Sequence, residues 1–157
     1  MRNRYFDTRT AVQITQVSRA RIDQMISKGL VALRKPPKTG HSRQLSMNEL
    51  AEIMVLDRLT TLGLDVAGHN MIHHMPLKLV YHAPDPALVI ARLHIDAPTD
   101  QSKALSPHFQ SVQSLRFTTV AQARQMLDDP DLIGVMILPL KEILDHIEAA
   151  AEELGIL

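Results

Sequence analysis

Apolar residues recur at three- and four-residue steps in two neighbouring runs near the start of the chain, around Ala11–Ile14 and over Ile22–Ile26. This spacing predicts two short helices. Thr15–Val17 is the predicted turn between them. The Ser18 hydroxyl is placed to cap the second helix, and Gly29 to end it. Two short helices joined in this way are typical of a helix-turn-helix, whose second helix lies in the major groove of DNA.

Two candidate strands, Val31-Ala32-Leu33 and Arg43-Gln44-Leu45, flank the basic segment RKPPKTGHS. Its two prolines exclude a helix and Gly40 permits a turn, so the pattern predicts a small β-hairpin. A hairpin beside a recognition helix is a wing; the alternative is an irregular surface loop. Before the first helix, residues 4–6 predict a short strand or arm, and Asp7 or Thr8 can cap that helix.

A third helix is predicted from the sequence Ser46-Met47-Asn48-Glu49, which fits a capping box. It runs to about Leu62 and is stopped by Gly63. Its predicted core positions are Leu50, Ile53, Met54, Leu56, Leu59 and Leu62. Asp65 can cap one more short helix, which runs through His69 to His74.

The second half of the chain has a different pattern, with continuous apolar runs bounded by prolines. Strands are predicted at 77–81, 88–95, 115–119 and 132–138, the last as a central strand buried on both faces. Residues 96–113 are predicted as a loop and 120–127 as a helix. Strand, helix and strand here suggest a βαβ crossover.

The last helix is predicted to begin at Pro139 with an apolar stripe. The stripe consists of Leu140, Ile143, Leu144, Ile147, Ala150, Ala151 and Leu154. It is predicted to pack on the chain's own sheet, with a subunit interface as the alternative. The sequence therefore predicts an α+β protein in two domains. Residues 1–75 form an N-terminal winged helix-turn-helix domain, and residues 76–157 a small α/β domain with a C-terminal amphipathic helix.

Charge is distributed unevenly although the formal net charge is zero. Residues 1–48 hold ten Lys or Arg against Asp7 and Asp23, a balance of +8, which leaves −8 on residues 49–157. A basic head on an acidic body is typical of a module that faces phosphate. Solvation of an exposed face is the alternative reading. The predicted DNA-contacting residues are Ser18, Arg19, Arg21, Gln24, Lys28, Arg34, Lys35, Lys38, His41 and Arg43.

The composition argues against several classes of protein. With no cysteine there are no disulfides or thiolate metal sites, and we expect a cytoplasmic protein with no membrane association. Aromatic residues are too few to favour single-strand binding.

In order and spacing, the N-terminal half is similar to a known family. The matching residues are Ala11, Val17, Ser18, Ile22, Lys28, Gly29, Leu30, Val31, Gly40, Arg43, Ser46, Glu49, Leu50, Ile53, Leu59, Leu62, Gly63 and Leu64. Over residues 4–72 they resemble the winged-helix DNA-binding domain of the MerR family of bacterial transcription regulators. The resemblance implies DNA binding through the same elements, and extends to relatives such as phage excisionases. Activator, repressor and architectural roles all stay open.

The chain departs from that family at three places. Asp23-Gln24-Met25 stands where members usually carry Arg-Tyr-Tyr, which moves the expected base contacts to Arg19, Arg21 and Gln24. The wing ends Arg43-Gln44-Leu45, where the family has Arg-x-Tyr, with one extra residue after Gly40. No long dimerisation helix follows residue 68.

Motifs for catalysis or metal binding are sparse. His69 and His73, with His74 and His82 nearby, have a spacing that can hold a divalent metal, but no Cys or carboxylate completes the set, so we predict no metal and no cofactor. No phosphate loop or nucleophile elbow is present, so we predict no enzyme.

We therefore predict a sequence-specific double-stranded DNA-binding regulator that forms a homodimer. RNA polymerase or another protein is a candidate partner. The alternative is a non-DNA adaptor or ligand-sensing module that uses the winged-helix fold for protein contacts.

Overall fold

The computed structural model of the chain describes residues 4–34, 43–63, 83–94, 111–130 and 132–156. It divides into two compact units, Met1–Leu77 with Glu142–Leu157 and Lys78–Lys141. Helices and strands occur in both, so the chain is a mixed α+β protein as predicted. The C-terminal helix belongs to the first unit, whereas the sequence placed it with the second domain. In the described parts of the chain, no helix is long and apolar enough to cross a membrane.

The first unit begins with two helices whose ends are set by local hydrogen bonds. Its elements are β1 (Tyr5–Asp7), α1 (Thr8–Thr15), α2 (Arg19–Ser27), β2 (Gln44–Ser46) and α3 (Met47–Thr61). Asp7 caps α1 by accepting the Thr10 N–H at 2.8 Å. Gln16 adopts a left-handed conformation with φ of 58°, which ends α1 and turns the chain. Ser18 then caps α2, as predicted, by accepting the Arg21 N–H at 3.3 Å.

Gly29 ends α2 as the sequence predicts. Its φ of +69° is in the left-handed region, which a residue with a Cβ adopts only with strain. This turn lets the Leu30 N–H donate to the Met25 carbonyl at 2.8 Å and returns the chain to the core, where Val31 is buried.

The strand pairing predicted for the wing is wrong. Residues 31–34 form no strand, and β2 instead pairs antiparallel with β1, with Phe6 opposite Leu45. Both of these side chains are buried, so the pairing of β1 with β2 places apolar surface from both strands in the core. Residues 35–42, which the prediction placed in the turn of the hairpin, lie outside the described residues.

Helix α3 is the centre of the first unit. The predicted capping box is present, and every residue from Glu49 to Leu56 is buried. A helix buried around its whole circumference must be surrounded by other elements. Of the core positions predicted here, Leu62 is wrong, because it follows the last turn and is 54 % exposed.

The C-terminal helix, α5 (Lys141–Glu153), supplies one side of that surround. Its Ile143 and Ile147 are almost completely buried. The His146 Nε2 lies 2.9 Å from the Ile14 carbonyl of α1, and Arg58 of α3 pairs with Glu142 at 3.9 Å. The apolar stripe predicted on this helix is present, except that Leu154 is exposed.

The second unit contains an antiparallel three-stranded sheet in the order β4-β3-β5. Its elements are β3 (Pro86–His94), β4 (Ser111–Thr119), α4 (Val120–Gln125), a 3₁₀ turn (Met126–Asp128) and β5 (Leu132–Pro139). The strand–helix–strand order is as predicted, but β3 lies between the two strands that the helix connects.

The sequence assigned the wrong strand to the middle of this sheet. Ala87–Ala91 of β3 are all buried, while β5, predicted as central, lies at the side of β3. Val89 and Ala91 pack with Ala123 of α4, so this helix covers one face of the sheet. The strand predicted at 77–81, the helix at 69–74 and most of the predicted loop, 96–110, lie outside the described residues.

Candidate nucleic-acid interface

The outward face of α2 is the surface on which the predicted contact residues are concentrated. Ile22 and Met25 are buried and fix the inward side of the helix. Because an α-helix repeats every 3.6 residues, Ala20, Gln24 and Ser27 lie on the opposite side, and all three are exposed. Two of them are small, so another molecule can approach the α2 backbone closely between the longer side chains at its margins.

One margin of this face carries two arginines that share a carboxylate. Arg19 Nε lies 3.7 Å from Asp23 Oδ2, one turn further along α2. Arg43, which directly precedes β2, donates from Nη1 to Asp23 Oδ1. The structure therefore places Arg19 and Arg43 on either side of the Asp23 carboxylate.

Arg21 is directed toward the body of the unit. Its Nε lies 3.6 Å from Asp57 Oδ1 on α3, and its Nη1 donates to the Gln24 Oε1 at 3.1 Å. Only 31 % of its side chain is exposed, against 79 % for Arg19. Arg21 thus links α2 to α3, and it holds the side-chain amide of Gln24, which the sequence analysis predicts to contact a base.

Lys28 and Ser18 lie at the two ends of α2, and both are exposed. The Ser18 oxygen accepts the Arg21 N–H, which leaves its hydroxyl proton available to an acceptor. Lys28 directly follows the last residue of α2, so the whole length of the helix separates Lys28 from Ser18.

The Glu49 carboxylate links the chain before the 35–42 segment to the chain after it. Glu49 is completely buried; its Oε1 accepts the Arg34 N–H at 2.6 Å and its Oε2 accepts the Ser46 N–H. With the Asn48 amide oriented to satisfy its hydrogen bonds, the side-chain oxygen of Asn48 accepts hydrogen bonds from Nη1 and Nη2 of Arg34 at 2.6 and 2.9 Å. Arg34 is therefore held at the start of the predicted wing. Of the other predicted contacts, Lys35, Lys38 and His41 lie outside the described residues.

A second carboxyl lies one turn further along α3. Glu52 is 3 % exposed, and burial raises its pKa to about 8; the Arg34 guanidinium opposes this rise and the Glu49 carboxylate adds to it. Glu52 is therefore mainly protonated and neutral at pH 7. The sequence pattern did not identify it, because a glutamate beside an apolar stripe resembles a solvent-facing position.

An open cleft of about 240 Å³ lies within the first unit, on the side of the turn between α1 and α2. It is lined by Thr15, Gln16, Val17, Met54, Asp57, Arg58 and His146. The residues come from three separate parts of the chain, so no local pattern indicates it. Asp57 both lines the cleft and pairs with Arg21.

No group of three metal-ligating side chains is found in the ranges that the structure describes. The histidines considered as a metal site, His69, His73, His74 and His82, lie outside them.

Comparison of the chain with models of known protein families and with characterised proteins gave no match. The similarity of residues 4–72 to the MerR family therefore stays a prediction that depends on the residues quoted above.

Proposed function

We propose that this protein is a sequence-specific double-stranded DNA-binding transcription regulator built on a winged helix-turn-helix. In this proposal α2 enters the major groove and the segment from Arg34 to Arg43 contacts the backbone. The observation that carries the proposal is the outward face of α2. It has small exposed residues at its centre and Arg19, Arg43 and Lys28 at its margins and end.

Each part of this face has a counterpart on duplex DNA. The exposed Ala20 and Ser27 leave room for the edges of the base pairs, and the marginal cations are placed to contact phosphates. Gln24 can pair with adenine if its oxygen is released by Arg21. The +8 balance of residues 1–48 supplies the long-range attraction that such a face needs.

We further propose that the protein binds as a homodimer, because half-sites on DNA favour proteins with two-fold symmetry. The second unit is then the candidate for dimerisation, effector sensing or contact with a protein such as RNA polymerase. Sedimentation of the protein with and without a bound duplex would test the dimer: two chains per duplex are expected, and one chain per duplex would contradict it.

The test of DNA binding is the salt dependence of affinity for a random duplex, compared with that of a double variant. Each phosphate contact contributes about −0.9 to the slope of log affinity against log salt. We expect Arg19→Ala with Lys28→Ala to reduce the slope by about two such contacts. Arg21 is left intact, because its side chain pairs with Asp57 of α3 and is less exposed than that of Arg19.

Arg124→Ala is the matched control, since Arg124 is an exposed arginine on α4 of the second unit. It should leave both affinity and slope unchanged. If the wild-type protein fails to bind the duplex at low salt, or if the control weakens binding as much as the double variant, the proposal is wrong. A module for protein contacts would then be the better reading.

A further inference from the structure

The carboxylate of Asp23 occupies an unexpected position for a DNA-binding helix. It lies on α2 between two arginines, and its side chain is 42 % exposed. A negative charge at this point repels phosphate, so it lowers affinity for any duplex regardless of sequence.

The two oxygens of Asp23 are used unequally. Oδ1 accepts a hydrogen bond from Arg43, whereas Oδ2 lies 3.7 Å from Arg19 Nε, which is an ion-pair distance too long for a hydrogen bond. No hydrogen bond to Oδ2 is found within the described parts of the chain. Arg43 thus holds the carboxylate in place while Oδ2 keeps its capacity to accept a hydrogen bond.

An ionised carboxylate accepts hydrogen bonds and donates none. Among the groups in the major groove it can pair with an amino group, and the amino group of cytosine is the usual partner of Asp and Glu. The oxygens of guanine, thymine and phosphate are excluded, because each would face another acceptor.

We propose that Asp23 is a specificity-determining residue of the interface. Its Oδ2 accepts a hydrogen bond from the N4 amino group of one cytosine, and its charge weakens the attraction of Arg19 and Arg43 to phosphates of random sequence. This inference rests on the proposed DNA-binding function and extends it to the base that is recognised. Sequence-specific binding then pairs the carboxylate, while non-specific binding leaves it facing the phosphate backbone.

The first test measures affinity for a random duplex at low salt. Removing one negative charge beside two arginines in Asp23→Asn should tighten this binding by about three- to tenfold, with the gain decreasing as salt is raised. Asp23→Glu keeps the charge and should stay within about twofold of wild type. Asp128→Asn is the matched control, because it makes the same charge change at an exposed position in the second unit, and it should have no effect.

The second test selects preferred sequences from a random duplex pool with the wild-type protein and with Asp23→Asn. A cytosine required by the wild type should lose its preference in the variant at that one base pair, while the other positions stay the same. A purely structural role of Asp23 would not change the base preference at a single position. Equal thermal unfolding midpoints would confirm that both proteins are folded.

The outcomes separate this inference from the proposal on which it rests. If the wild type binds duplex but the variant selects the same sequence with the same random-duplex affinity, the role of Asp23 is wrong and DNA binding stands. If the wild type binds no duplex, both are wrong.

Discussion

The buried carboxyl of Glu52 makes the stability of this protein depend on pH in a direction opposite to that of a paired surface carboxylate. Its pKa is about 8 in the folded protein, against a usual 4.5. Below pH 4.5 both folded and unfolded chains carry the proton, and the stability contribution is complete. Between these two values only the folded chain keeps the proton, so stability falls as pH rises, and the loss is complete above the folded pKa.

The magnitude follows from the change in proton affinity. Each tenfold change is worth about 1.4 kcal/mol, so the full effect is about 5 kcal/mol. Over a practical range, from about pH 5 to about pH 8.5, we expect a loss of about 3 to 5 kcal/mol from this one group. The loss is a large fraction of the stability of a typical domain, which is about 5 to 15 kcal/mol.

Glu52→Gln removes the titration and keeps the shape of the side chain. We expect the free energy of unfolding of the variant to fall less between these pH values than that of the wild type, measured by urea unfolding. Subtracting the two curves isolates the contribution of Glu52 from that of every other group. Glu153→Gln, on the exposed end of α5, is the matched control and should run parallel to the wild type. Parallel curves for wild type and Glu52→Gln would refute the reasoning.

Two further predictions concern other contacts of the first unit. Glu49→Gln replaces one of two acceptor oxygens with a donor, so either the Arg34 N–H or the Ser46 N–H loses its partner. The free energy of unfolding, measured in urea, should fall by about 1 to 3 kcal/mol. A fall below about 0.5 kcal/mol would contradict the double role of this carboxylate. Ile147→Ala should lower the free energy of unfolding by about 2 to 5 kcal/mol, because Ile147 is fully buried on the helix α5, which belongs to the first unit. Leu154→Ala is the control, because Leu154 is exposed. Equally small losses in the two variants would mean that α5 is not part of the core of the first unit.

Where the predicted elements depend on near neighbours, sequence and structure agree. The caps formed by Ser18 and Ser46 bind N–H groups three residues away, and Gly29 ends α2 through its own backbone conformation. Helix spacing also predicted the burial of Ile22 and Met25 in α2, although Ile26 is only half-buried, and of every core position in α3 except Leu62. Such features involve residues within one or two turns of each other, so a local pattern contains all the information they need.

The candidate site was predicted less completely. Arg19 and Lys28 are exposed on or beside α2 as expected, but the partners of the other arginines were not foreseen. Arg43 pairs with Asp23 across 20 positions, and Arg21 with Asp57 of α3. These contacts change what the side chains can do. Arg21 is held against the first unit by Asp57, and Asp23, which Arg43 holds in place, becomes the residue proposed to contact a base.

The sequence by itself determined the helices of the described residues, the caps formed by Ser18 and Ser46, and the separation of a basic head from an acidic remainder. Periodicity, capping and charge count depend only on neighbouring residues or on composition. Only the tertiary structure decided that β2 pairs with β1, that β3 lies between β4 and β5, and that α5 returns to the first unit. Strand pairing and helix packing are selected by the total apolar surface that distant segments bury together, and no short window of sequence contains that sum. The same reason applies to Glu52, whose pKa is set by burial among residues that the chain brings together only on folding.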